Sequence, residues 1–280
     1  MAEVELDRQQ IRRSFERAAA GYDNAAELQR EVCAHLLERL GWIHFTPKVV
    51  LDLGTGTGQG TVSLRKHYPK AQQIALDLSE GMLKRTSKRA GWFRKPGLLC
   101  ADARRLPLAT DSVDLIFSSL TLQWCSEDLT ELFSEFARVL RPGGLLMFTT
   151  FGMDTLQNLR QAWAQVDEQV HVNRFVDMHD IGDALLAAGF KDPVMDVERH
   201  QRSFESVTEL MRSIKAMGAH NVASQRARGL MGRQKLQRLQ EAFVCNQAGQ
   251  FEADYEVVFG MGWLPEVSPL GGSVEVMAPL

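Results

Sequence analysis

Asp52-Leu53-Gly54-Thr55-Gly56-Thr57-Gly58 decides the fold. It continues from Val49-Val50-Leu51, so a short apolar run of the kind found in a parallel strand buried on both faces ends in three closely spaced glycines. Val62 and Leu64 then mark the helix that the turn opens. Glycine at 54, 56 and 58 lets the backbone turn sharply and bring its N–H groups, with the positive end of that helix, close to a small ligand. The third glycine falls two residues after the second, which breaks the dinucleotide pattern G-x-G-x-x-G, and no Gly-Lys-Ser/Thr follows, which disfavours a Walker-type phosphate loop.

Working outward, Ile74–Asp77, Leu98–Asp102, Val113–Phe117 and Leu145–Thr149 repeat the strand signature, separated by helix-like stretches such as Asp128–Leu140. Alternation of this kind predicts βαβ units and a parallel sheet. Upstream, Ile11, Phe15 and Ala19, then Leu28, Val32, Leu36 and Leu40, predict two helices broken by Gly21-Tyr22-Asp23-Asn24. Downstream of Phe151 the spacing predicts a helix over 155–169, an amphipathic helix over 181–188 closed by Gly189, weak alternation over 194–204, a largely helical 206–247 and a last strand over 251–263. The expected organisation is one domain over 1–263: N-terminal helices 9–40, a core at 48–151, a lid or insertion near 152–178, a helical region near 205–247, and a flexible tail at 264–280.

The 280 residues suffice for one large α/β domain with insertions, and 45% apolar with 24% charged residues is the balance of a folded globular chain. A net charge of −3 provides no global attraction to nucleic acid or anionic lipid. Cys33, Cys100, Cys125 and Cys245 stand far apart without a C-x-x-C pair, and no histidines cluster at ligand spacing, so neither disulfides nor a metal site is expected. An acidic, polar start and the absence of 18 uninterrupted apolar residues predict a cytoplasmic chain without a membrane span.

With these segments in this order, the sequence resembles the class I S-adenosylmethionine methyltransferases, whose first motif is D-x-G-x-G-x-G. The resemblance implies S-adenosylmethionine as cofactor and a Rossmann-like seven-stranded α/β fold: a mostly parallel sheet, helices on both faces, N-terminal helices and a helical cap. It assigns cofactor binding to Asp52, Gly54, Thr55, Gly56 and Gly58. Asp77, 25 residues after Asp52, is the acidic strand end that accepts from both ribose hydroxyls. Asp102 and Ala103 match the adenine contact, Leu78 and Met82 its apolar faces, and Ser119 the segment beside the methionine part. Leu140-Arg141-Pro142-Gly143-Gly144 matches the turn before strand five.

Other segments resemble the malonyl-acyl-carrier-protein O-methyltransferases of biotin synthesis: Ser14–Asp23, Leu120–Trp124, Thr155–Trp163, His171–Phe175, Leu210–Asn221 and Tyr255–Gly260. This implies methylation of a malonyl carboxylate, which is already ionised at pH 7 and needs no general base. His171, His179 and His200 are accordingly not expected to act as bases. A cation should hold the carboxylate, and arginine has the bidentate geometry for it. Arg174 is the first candidate, then Arg160 and Lys215, with Tyr22, Gln123 and Trp124 nearer the transferred methyl. Between Glu205 and Gln240, Arg212, Lys215, Arg226, Arg228, Arg233, Lys235 and Arg238 face only Glu205 and Glu209, a local charge of 7 − 2 = +5 suited to an acidic acyl carrier protein. The malonyl carrier, acyl carrier protein or coenzyme A, stays open at this point; the rival readings are a class I methyltransferase for another small carboxylate or a quinone precursor, and a non-catalytic cofactor-binding scaffold.

Overall fold

A computed structural model of the chain describes residues 7–125, 128–216 and 232–266. Three N-terminal helices, α1 (Arg8–Ala18), α2 (Tyr22–Ala25) and α3 (Glu27–Gly41), precede the sheet. Two were expected; the Gly21–Asn24 break is itself a single helical turn. Strands and helices then alternate: β1 (Val49–Leu53), α4 (Gln59–His67), β2 (Gln72–Asp77), α5 (Glu80–Ala90), β3 (Gly97–Cys100), β4 (Val113–Ser119), α6 (Leu129–Val139) and β5 (Leu140–Phe151). The remainder is α7 (Gln157–Ala164), α8 (Met178–Ala187), β6 (Lys191–Phe204), α9 (Val207–Ala216), α10 (Arg233–Ala242) and β7 (Phe251–Trp263).

The seven strands form one sheet in the order β3-β2-β1-β4-β5-β7-β6. β1 to β5 pair in parallel, and β7 runs antiparallel between β5 and β6. Strand order reverses between β1 and β4, and in open α/β sheets ligands bind at the carboxyl ends of the strands flanking such a switch point. Gly54, Asp77 and Ser119 all lie at those ends.

The unbroken apolar runs are explained by burial on both faces. Leu115 and Phe117 of β4 join Leu28, Leu36, Leu40 and Leu64 on one side, while Ile116 joins Phe133, Phe136 and Leu185 on the other. Phe148 packs 5.7 Å from Phe133, centroid to centroid, in the second layer. A Cβ on Gly260 of β7 would come within 2.3 Å of the Phe148 ring. Gly260→Ala should therefore lower stability by about 1–3 kcal/mol through overpacking. The measurement is thermal unfolding, and an unchanged melting temperature would contradict the close approach of Gly260 to Phe148.

The C-terminal half departs from its expected boundaries. The helix expected over 155–169 is only α7, started from a left-handed Leu156 (φ 56°). It is a packed layer, with Leu159, Ala162 and Trp163 buried and Asn158 bonded to Asp254 of β7 at 2.6 Å. The helical region expected to reach 247 stops at Ala242, because the Asn246 side chain accepts from Ala248 N and Gln250 N and forms a turn into β7. Gly189 closes α8 with φ +90° as expected. β6 is longer than its weak alternation suggested; at the sheet edge it carries charges that pair with α3. Residues 217–231 of the basic region and 267–280 of the tail lie outside the described residues. Among the described residues no helix is long and apolar enough to cross a membrane.

Candidate active site

The glycine turn is pinned to its neighbour strand, because Gly54 N and Thr55 N both donate to Leu76 O, at 2.8 and 2.9 Å. Its three glycines have positive φ, of 73°, 55° and 85°, for different reasons. A Cβ on Gly54 would lie 2.0 Å from Thr121 Oγ1, and one on Gly58 2.8 Å from the Thr86 backbone, whereas one on Gly56 would meet nothing within 4 Å. Gly54 and Gly58 are sites of close packing, and Gly56 faces open space. Asp52 is buried under the turn, its Oδ2 accepting from Thr55 Oγ1 at 2.8 Å and Thr61 Oγ1 at 2.5 Å. Burial raises its carboxyl above the usual range while the two hydroxyls oppose that.

The turn borders an open cavity of about 720 Å³, counting the solvent space at its mouth. Gly54, Gly56, Asp77, Leu78, Met82, Asp102, Ala103 and Ser119 line it. A second cavity of about 510 Å³ shares Tyr22, Gly54, Gly56 and Ser119 with the first and adds Asp52 and Thr55. Gly58 lines neither, and its place is against α5.

Asp77 is an acceptor in the wall of the first cavity. Its Oδ2 takes Gly56 N at 2.9 Å and its Oδ1 takes Ser79 N at 2.8 Å, leaving further lone pairs for a ligand. Burial pushes its carboxyl up to about 6 against those two bonds, with smaller contributions from Asp52 and Glu16. Asp102 differs from expectation, because guanidiniums already engage it: Arg8 at 2.8 Å and Arg104 at 2.9 Å. A ligand amine would share that carboxylate with them. The donor set fits S-adenosylmethionine: an acidic acceptor for a diol, an apolar slot between Leu78 and Met82, and clear space over Gly56.

Tyr22 lines both cavities, with its phenol held above the usual range by burial and by nearby Asp77 and Asp23. Trp124 lines the first cavity and also a smaller apolar one of about 340 Å³, with Gln29, Phe151, Thr155, Leu156, Phe175, Ile214 and Tyr255. Gln123, expected near the transferred methyl, lines neither cavity at the glycine turn but a smaller one that shares Phe151 and Phe175 with the Trp124 cavity. Its amide is used internally, donating to Leu120 O at 2.7 Å and accepting from Thr150 at 3.3 Å.

Arg160 donates to Thr155 O at 3.0 Å and to Met153 O at 3.2 Å, while its buried Nε has no partner. Burial and the nearby Arg174 guanidinium make it less basic than usual. Arg174 is exposed and directly precedes Phe175 of the apolar cavity. Lys215 is exposed on α9 and lines none of these cavities. His171 stacks on Trp163 at 3.6 Å and pairs with Asp167, which Lys235 and His171 bring down to about 2 against its burial. His171, His179 and His200 line none of the three cavities.

The sequence reading missed the contribution of α1. Arg8, Ile11 and Phe15 line the first cavity, and Phe15 packs edge-on against Trp124 at 5.5 Å. Their i, i+4 spacing was visible but indistinguishable from an ordinary packing stripe. Two polar clasps hold this segment. Glu16 accepts from Ser79 Oγ at 2.6 Å and Gly81 N at 2.9 Å, which lowers its pKa, and Asp23 accepts from Thr57 Oγ1 at 2.6 Å and pairs with Arg89. The expectation of no histidine cluster also needs correction. His35, Glu198 and His200 converge although 163 residues separate the first two, a distance at which linear spacing carries no signal.

Residues 51–148 match the family model described as a methyltransferase domain. The chain is 50% identical over 272 residues to a protein of Laribacter hongkongensis named malonyl-[acyl-carrier protein] O-methyltransferase, covering 94% of this chain and 91% of that one. It is 47% identical over 274 residues to a protein of the same name from Gallionella capsiferriformans, covering 95% and 93%. Among solved structures, the fold is similar to phosphoethanolamine N-methyltransferase 2 of Haemonchus contortus bound to S-adenosylhomocysteine, with TM-score 0.56, 18% identity and coverage of 91% of this chain and 60% of that one.

Proposed function

The chain belongs to the malonyl-[acyl-carrier protein] O-methyltransferase family, and from that premise we propose how its cavities divide the work. S-adenosylmethionine is the cofactor, and when bound it supplies an electrophilic methyl group on a sulfonium. The acceptor is the free carboxylate of a malonyl group on acyl carrier protein, the step that starts pimeloyl assembly for biotin synthesis. The product is a neutral ester, which can enter an apolar chain-extending site without the cost of burying a charge.

The observation that carries this reading is the apolar cavity sharing the Trp124 wall, with Arg160 bonded to its Thr155 and Arg174 adjoining its Phe175. Neither arginine has an ion-pair partner among the described residues, and two neighbouring guanidiniums favour an anion between them. Asp77 holds the sugar, Leu78 and Met82 hold the base, and Tyr22 and Ser119 line both cavities at the glycine turn. No base is needed, so positioning and water exclusion provide the catalysis. Arg212, Lys215, Arg233 and Arg238 give α9 and α10 the charge for docking an acidic carrier. Of the remainder of that basic region, Lys235 is paired with Asp167 at 2.8 Å, and Arg226 and Arg228 lie outside the described residues.

Malonyl-carrier protein, malonyl-coenzyme A and free malonate, offered side by side with labelled cofactor, test the reading. Carrier-bound malonyl should turn over fastest, with an advantage that shrinks as salt is added. Equal rates for free malonate would reject carrier recognition.

Asp77 sets a pH dependence. Cofactor hydroxyls bind its ionised form, and its carboxyl titrates at about 6, so affinity should fall as pH drops through that value. At pH 5 about one molecule in ten is ionised, and S-adenosylhomocysteine should bind roughly 10-fold more weakly than at pH 8. Calorimetry across that range checks it, and Asp77→Asn should bind weakly at every pH.

A further inference from the structure

Glu31, His35 and Arg39 stand at i, i+4 and i+8 on α3, so they share one face of the helix. Asp196, Glu198, His200 and Arg202 alternate along β6 and share one face of the strand. The two faces meet in a polar seam made of residues outside the cofactor motifs. Arg39 bonds Asp196 at 2.6 Å and Glu198 Oε1 at 2.7 Å, and Arg202 pairs with Glu31.

At the centre of the seam, we propose, His35 Nδ1, Glu198 Oε2 and His200 Nε2 form a binding site for a divalent transition-metal ion of the zinc type. The three atoms lie within 4.8 Å of one another, with His35 Nδ1 2.8 Å and His200 Nε2 3.2 Å from Glu198 Oε2. Around a tetrahedral ion with bonds of about 2.0–2.2 Å, neighbouring ligand atoms stand about 3.4 Å apart. Slight outward movement of each side chain would admit the ion, with water in the fourth position.

Burial supports this independently of the clustering. The His200 side chain is only 7% exposed, and its Nε2 makes no hydrogen bond although Glu198 is within reach. Such an orphaned nitrogen is costly unless a partner takes its lone pair. The surroundings match those that orient metal ligands. Glu31 lies 3.4 Å from His200 Nδ1 and is itself held by Arg202, giving a carboxylate–imidazole–metal arrangement, while Arg39 fixes the other oxygen of Glu198. With neutral imidazoles the seam holds three carboxylates and two guanidiniums, net 2 − 3 = −1, which attracts a cation. Two imidazoles select zinc, nickel, cobalt or copper over calcium or magnesium. His35, 39% exposed, provides the entry side.

The ion would bridge residue 35 to residues 198 and 200, and so tie α3 to the sheet edge. Gln29, Arg30 and Cys33 of the same helix line the second cavity, so the site stiffens one wall of the pocket.

The test is calorimetric titration of tag-free, chelator-treated protein with Zn²⁺, paired with visible absorption on Co²⁺ addition. One ion per chain should bind with a dissociation constant of about 1 μM or tighter, and Co²⁺ should show tetrahedral d–d bands. His35→Ala, at a partly exposed position, should weaken binding at least ~100-fold, and Glu31→Gln roughly 10-fold. His179→Ala, at an exposed histidine outside the seam, should change nothing. Zn²⁺ should raise the melting temperature of the parent protein but not of His35→Ala. Absence of saturable binding by the parent protein, or full affinity in His35→Ala, would overturn the assignment.

Discussion

Gly56→Ala is expected to abolish detectable S-adenosylhomocysteine binding while leaving the protein folded. A methyl group there meets no protein atom within 4 Å and projects into the space that both cavities share. The left-handed backbone at φ +55° costs alanine about 1–2 kcal/mol. For a chain of this size that is a melting-temperature loss of only a few degrees, roughly 2–4 °C per kcal/mol. The ligand has no such tolerance, and a drop of at least ~100-fold in affinity, about 2.7 kcal/mol, is expected. Gly54→Ala should behave differently, because its methyl would overlap Thr121 at 2.0 Å and the turn itself must yield, so stability and binding fall together. Calorimetry and thermal unfolding of the pair distinguish the two roles. Equal binding by Gly56→Ala and the parent would place the cofactor elsewhere.

The second large effect is expected at Arg174. Arg174→Ala removes an exposed guanidinium that has no ion-pair partner among the described residues, so folding and cofactor affinity should stay as they are. Turnover of malonyl-carrier protein should fall about 10- to 100-fold, the loss of one charge-assisted hydrogen bond at about 1.5–3 kcal/mol. Arg160→Ala should give a similar kinetic loss and also lower stability, since its guanidinium satisfies Met153 O and Thr155 O. Steady-state kinetics beside cofactor calorimetry reads both. Unchanged turnover in Arg174→Ala removes it from the acceptor site.

The cofactor half of the molecule was legible because its chemistry is local. β1, the glycine turn, Asp77 and Asp102 lie within about fifty residues, each at a strand end whose apolar run announces it. The acceptor half is assembled from distant pieces. Trp124 reaches its second cavity beside Ile214 and Tyr255, and nothing at those positions distinguishes a pocket wall from core. Gln123 illustrates the limit: a polar residue next to a motif looks available until its amide is found satisfied by Leu120 O and Thr150. The α3–β6 seam was equally hidden, because helical and strand periodicities place its residues on faces without saying that the faces meet.

The placement of β7 has a consequence for biosynthesis. β6 pairs only with β7 within the described sheet, and β7 fills the slot between it and β5. While the chain emerges from the ribosome, the parallel half with the cofactor turn can assemble, but β5 keeps an open backbone edge and β6 has nothing to join. Only when residues 251–263 clear the exit tunnel does the wedge close, so nascent chains stalled before that point present a sticky margin to chaperones and to one another.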